Sequence, residues 1–172
     1  MPERSVILTG FMGSGKSSVG RVLAKRLSCP FIDLDSEIVA SAGRSINDIF
    51  SQDGEQAFRI LETTCLEQAL HGGRAVIATG GGAVISGENR RLMRTSGIVV
   101  NLDVSMSQVL LRLDGATDRP LFCGSDAANR VKSLMDDRKQ FYADADIRID
   151  TDGKSVEDVS AEILSFVKGL RD

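Results

Sequence analysis

The chain has no tryptophan, one tyrosine, one histidine, three prolines and three cysteines in 172 residues. Each shortage excludes something. Cys29, Cys65 and Cys123 are widely spaced without a C-x-x-C pair and His71 stands alone, so neither a zinc site nor a disulfide framework is expected. Cys29 and Cys65 read as small packing residues and Cys123 as a loop thiol, which fits a reduced, cytoplasmic setting. No apolar run approaches the roughly 20 residues that span a bilayer, and Met1-Pro2-Glu3-Arg4 does not open like a signal peptide, so no membrane association is expected. The net charge of −3 leaves no clustered basic surface for a nucleic acid. Internal repeats, low-complexity tracts and interdomain linkers are also missing, and the length fits a single domain over 1–172.

What is present begins at Gly10-Phe11-Met12-Gly13-Ser14-Gly15-Lys16-Ser17, a complete G-x-x-x-x-G-K-[ST] phosphate loop. Its glycines let the backbone curl until its N–H groups converge on phosphate, Lys16 reaches the β and γ phosphates, and the Ser17 hydroxyl can hold Mg²⁺. Such a motif counts only between a strand and a helix. Here the apolar segment 5–9 precedes it, and Val19, Val22, Leu23 and Leu27 follow on one helical stripe. ATP or GTP is the expected ligand.

Apolar segments at 5–9, 29–33, 75–79, 98–102 and 147–150 read as strands separated by helical pattern, which implies a parallel sheet covered on both faces. The last helix is the clearest: Val156, Val159, Ile163, Phe166, Val167 and Leu170 share a stripe behind a Ser155-x-x-Asp158 start. Two stretches interrupt the rhythm. Residues 36–73 hold several helical pieces broken at Gly43 and Gly54, and residues 114–125 hold Gly115, Pro120 and Gly124 around Arg119. Beside a phosphate site, these suggest a second-substrate pocket and a lid.

Four further groups could carry chemistry. Asp33 and Asp35, two apart at the end of the second strand, point the same way and would suit a metal ion, a basic Lys16 and a proton to be accepted; helix capping by Asp35 beside a solvated Asp33 is the alternative. Gly80-Gly81-Gly82 costs enough backbone entropy to suggest close approach of backbone to ligand, with a ligand-free tight turn as the alternative. Arg59 shares a helix face with Glu62, apart from the apolar stripe of Phe58, Leu61 and Cys65, and Arg138 precedes Tyr142 on a helix over 127–142. Two converging guanidinium forks would select an anionic acceptor, although each alone could be a surface residue. His71 reads as a helix C-terminal cap.

In order and spacing these elements resemble the shikimate kinases, a group of nucleoside monophosphate kinase-like P-loop proteins. The resemblance runs through the loop, Asp33-Leu34-Asp35, Gly43-Arg44-Ser45-Ile46, Gly54-Glu55-x-x-Phe58-Arg59-x-x-Glu62, Gly80-Gly81-Gly82, Arg119-Pro120-Leu121 and Arg138-x-x-x-Tyr142. It implies a three-layer α/β fold with a five-stranded parallel sheet in the order 2-3-1-4-5, 36–73 as the shikimate-binding region and 114–125 as the lid. It implies transfer of the ATP γ-phosphoryl group to the 3-hydroxyl of shikimate, on the way to chorismate and the aromatic amino acids. Nucleotide would then contact Gly13, Ser14, Gly15, Lys16, Ser17 and Ser18, with Arg112, Arg119 and Lys154 around it. Ser17 and Asp33 would serve Mg²⁺, and Asp35 would orient and deprotonate the hydroxyl. Arg59, Arg138, Gly81 and Gly82 would grip shikimate, with Glu62 bracing Arg59 and Arg119 closing on the phosphate. A monomer is expected. A gluconate kinase would need polyol contacts where Arg59 and Arg138 sit; a GTPase switch is disfavoured because the only D-x-x-G, at 150–153, comes too late and no N-K-x-D follows.

Overall fold

The run Ser-Val-Ile-Leu-Thr has little choice but to lie inside a sheet, and β1 (Ser5–Thr9) is buried at every residue. A computed structural model describes residues 4–113 and 124–170 of the chain. In it β1 is the central strand of a five-stranded sheet ordered β2-β3-β1-β4-β5. Its neighbours are β3 (Val76–Ala78), with Ile7 opposite Ile77, and β4 (Gly97–Asp103), with Ile7 opposite Val99. The edges are β2 (Phe31–Asp33) and β5 (Ile147–Asp150), and every pairing is parallel. The expected topology is thus the one found.

Alternation along the strands divides the core in two. Val6, Leu8, Val100 and Leu102 face α1 (Lys16–Leu27) and α7 (Val156–Gly169), which contribute Val19, Leu23, Val159, Ile163 and Val167. Ile7, Ile77 and Val99 face the other layer, built from α2 (Leu34–Ala42), α3 (Ile46–His71), α4 (Gly87–Ser96), α5 (Met106–Leu113) and α6 (Ala127–Tyr142). Helix α7 begins in a capping box in which Ser155 and Asp158 exchange side-chain and backbone bonds. Leu170, placed on its apolar stripe by periodicity, lies one residue past its end and is exposed.

The second strand is shorter than 29–33 because Ser28 ends α1 in a left-handed conformation and Cys29 N–H returns to the Ala24 carbonyl, leaving only Phe31–Asp33 extended. The region 36–73 resolves into α2 and α3; α3 breaks at Gly54, whose φ of 86° is open mainly to glycine. Cys29 and Cys65 pack against the two cores, and burial pushes both thiols up from their ordinary pKa. His71 closes α3, its Nδ1 2.7 Å from the Glu67 carbonyl oxygen. No helix among the described residues is long and apolar enough to cross a membrane. The expected lid, with Arg119 and Cys123, lies outside the described residues except at Gly124 and Ser125.

Candidate active site

Where β1 ends, residues 10–15 turn back over the sheet, and Gly15 opens α1 in the left-handed region at φ 91°. No side chain caps α1 and no acid sits in its first turn, so its N-terminal N–H groups and positive dipole end stay available to an anion. Lys16 folds over its own loop, Nζ donating to the carbonyls of Gly10 at 2.7 Å and Phe11 at 3.0 Å. Ser14 is buried beneath the loop. A cavity of about 230 Å³ adjoins it, lined by Gly13, Gly15, Lys16, Ser17 and Ser18 together with Asp33, Asp35, Thr79 and Gly81.

The two aspartates are not side by side on a strand. Asp33 is the N-cap of α2: its Oδ1 accepts from Ser36 N–H at 3.3 Å while Oδ2 accepts from the Ser17 hydroxyl at 2.7 Å. Strand pairing therefore stops at Asp33, and Asp35 is delivered by the first turn of α2. Capping does occur, by Asp33 instead of Asp35, and both acids still reach the same cavity.

The triple glycine after β3 is where the rest of the site converges. A β-carbon on Gly80 would lie 2.9 Å from Asp35 Oδ1 and 3.1 Å from Glu62 Oε2. On Gly81 it would sit 3.4 Å from Met12 N in the phosphate loop and 3.6 Å from Arg138 Nη1, and on Gly82 2.5 Å from Arg59 Nη2. Three adjacent positions thus admit an acid pair, the phosphate loop and two guanidinium groups against bare backbone.

Arg59 Nη1 pairs with Glu62 Oε1 at 2.8 Å and Nη2 with Glu55 at 3.3 Å. Although periodicity put Glu62 away from the apolar stripe, it is 1 % exposed, and its Oε2 accepts no hydrogen bond among the described residues. Burial raises its pKa and the nearby Asp35 adds to the rise, while Arg59 and Arg138 oppose it. Arg138 stands over the Phe11 ring at 5.8 Å, and the Tyr142 hydroxyl donates to the Gly81 carbonyl at 2.5 Å. Thr79, Phe11 and Tyr142 were not singled out as site residues; Tyr142 carried a signal as the chain's only tyrosine, one helical turn beyond Arg138.

On the other side of the phosphate loop, Arg112 Nη1 donates to the Gly13 carbonyl at 2.6 Å. Asp152, in the loop after β5, accepts from Ser105 N–H; the Ser105 side chain first, then this N–H and the nearby Arg112, hold its carboxyl below the usual range against the opposing effect of burial. Lys154 turns instead to Glu162 on α7, at 2.8 Å.

Residues 12–168 match the family model for shikimate kinase. The chain belongs to the shikimate kinase family. It is 54% identical over 166 residues to a shikimate kinase of Geobacter metallireducens, covering 96% of this chain and 93% of that protein. It is 53% identical over 165 residues to one of Geobacter sulfurreducens, covering 96% and 91%. The solved shikimate kinase of Acinetobacter baumannii in complex with shikimate superposes with a TM-score of 0.92 at 34% identity, over 96% of this chain and 93% of that one.

In this shikimate kinase family member the described site residues form two halves that meet at Gly81. The phosphate loop, Ser17, Asp33 and Arg112 make one half; Asp35, Arg59, Glu62, Gly82 and Arg138 make the other.

Proposed function

We propose that this chain transfers the γ-phosphoryl group of ATP to the 3-hydroxyl of shikimate, giving shikimate 3-phosphate and ADP. What supports this reading is that a β-carbon on Gly81 would lie 3.4 Å from Met12 N in the phosphate loop and 3.6 Å from Arg138 Nη1, so the proposed donor and acceptor residues border one glycine. The hydroxyl oxygen forms the new bond to γ-phosphorus, the bond from phosphorus to the β-bridging oxygen breaks, and Asp35 takes the hydroxyl proton. Lys16 leaves its own loop carbonyls for the β and γ phosphates, and the N–H groups of Gly13, Gly15 and Ser18 cradle them, joined by Ser14 N–H once it leaves the Phe11 carbonyl. Arg59 and Arg138 take the shikimate carboxylate, with the backbone of Gly81 and Gly82 alongside. Glu62 braces Arg59, and Arg112 flanks the adenine.

Arg119, outside the described residues, would neutralise the transferring phosphate. Lys154, bonded to Glu162, would contact nucleotide only after leaving that partner. Mg²⁺ suits the donor set: Ser17 Oγ and Asp33 Oδ2 are hard oxygens 2.7 Å apart, and this ion is typically held by one or two carboxylates plus substrate phosphates. Bound there with ATP, it supplies charge neutralisation at the phosphates. The same reading makes the protein a cytoplasmic monomer of aromatic amino acid biosynthesis.

A substrate panel tests the proposal. Incubation with ATP, Mg²⁺ and either shikimate or gluconate should phosphorylate shikimate alone, detected by mass spectrometry. Phosphorylation of gluconate with shikimate untouched would overturn it.

A further inference from the structure

We infer that Tyr142 is a positioning residue for the acceptor's anionic group, because its phenol holds the Gly81 peptide in place beside the Arg138 guanidinium, which a β-carbon on Gly81 would approach to 3.6 Å. The inference rests on the reading above, in which Arg138 and the glycine turn grip shikimate together.

The phenol O–H donates to the Gly81 carbonyl at 2.5 Å, and Arg138 lies four residues earlier on the same helix α6. Tyr142 is 7 % exposed, and burial pushes its pKa up to about 12, so the donor proton is retained throughout the neutral range. Phe11 flanks Arg138 from the phosphate loop, its ring centroid 5.8 Å from the guanidinium carbon.

A second tie joins the same two elements independently. Arg90 on α4 donates to the carbonyls of Val84 at 2.6 Å and Ile85 at 3.0 Å, in the turn following the glycines. It also lies 3.6 Å from Asp144 and 4.7 Å from the Phe141 ring, at the end of α6. The glycine turn and α6 are therefore held together even without the phenol. What the hydroxyl adds is orientation: without it the Gly81 carbonyl loses its donor and the peptide beside Arg138 is free to turn.

The test is Tyr142→Phe, which keeps the ring and its packing. Expected are a rise of about tenfold in both KM and Kd for shikimate, the scale of one buried hydrogen bond left unmade, with kcat and the KM for ATP within about twofold. Unchanged shikimate affinity, or an equal loss of ATP affinity, would overturn the inference. Wild-type protein that fails to phosphorylate shikimate would instead overturn the proposed function, so the two failures are distinguishable.

Discussion

A β-carbon placed on Gly82 would lie 2.5 Å from Nη2 of Arg59, so the guanidinium occupies the space that any other residue would fill. Gly82 has an ordinary φ of −97°, and the obstructing atoms are the far end of a flexible side chain, so alanine here displaces Arg59 without straining the backbone. Gly82→Ala should raise the KM for shikimate about tenfold, or about 1.4 kcal/mol, with little change in the urea midpoint. Unaltered shikimate kinetics would show that the Arg59 position is not critical.

Arg59→Ala and Arg138→Ala remove one fork each from the acceptor half. Each should weaken shikimate binding by about 10- to 100-fold, as expected for charge-assisted bonds, while ATP affinity stays near normal. Calorimetric titration of each variant with both ligands checks this, and undiminished shikimate affinity would remove the carboxylate assignment.

Lys16→Ala should leave a folded protein, because the Lys16 ammonium donates to the Gly10 and Phe11 carbonyls of the phosphate loop and fills no part of the core. Its kcat should fall by about 10³-fold, the loss typical of a major electrostatic stabiliser of the transition state. A rate within a few-fold of wild type would place the phosphate charge elsewhere.

Glu62 links the site to stability. Its folded-state pKa lies above the unfolded value because burial disfavours the carboxylate, so the folded state binds the proton more tightly. The resulting contribution is fully present below the unfolded pKa and is lost as pH rises through the folded one. Urea unfolding of wild type and Glu62→Gln from acid to neutral pH should show the wild-type advantage shrinking as pH rises. An advantage that grows over that range would mean that Arg59 outweighs burial.

The sheet was legible because central parallel strands such as Ser5–Thr9 and Gly97–Asp103 are continuous apolar runs, and the phosphate loop because all its determinants are consecutive. The acid pair was read in the right place by the wrong geometry: strand pleating suggested a common face, whereas Asp33 caps α2 and the first helical turn presents Asp35. Glu62 escaped notice as a buried group because helical periodicity tracks apolar residues, and Glu62 is covered by Arg59 and the glycine turn instead of by hydrocarbon. The Tyr142 bond to Gly81 joins elements 61 residues apart and depends on how α6 docks, which no local pattern encodes.

The central claim is that the two halves of the cleft meet to pass phosphate from ATP to shikimate. ADP release by the purified protein, measured with ATP and Mg²⁺ in the presence and absence of shikimate, tests it most directly. Release should depend on shikimate and match the shikimate 3-phosphate formed. Equal ADP release with and without shikimate, or none in either case from a folded, ATP-binding protein, would contradict it.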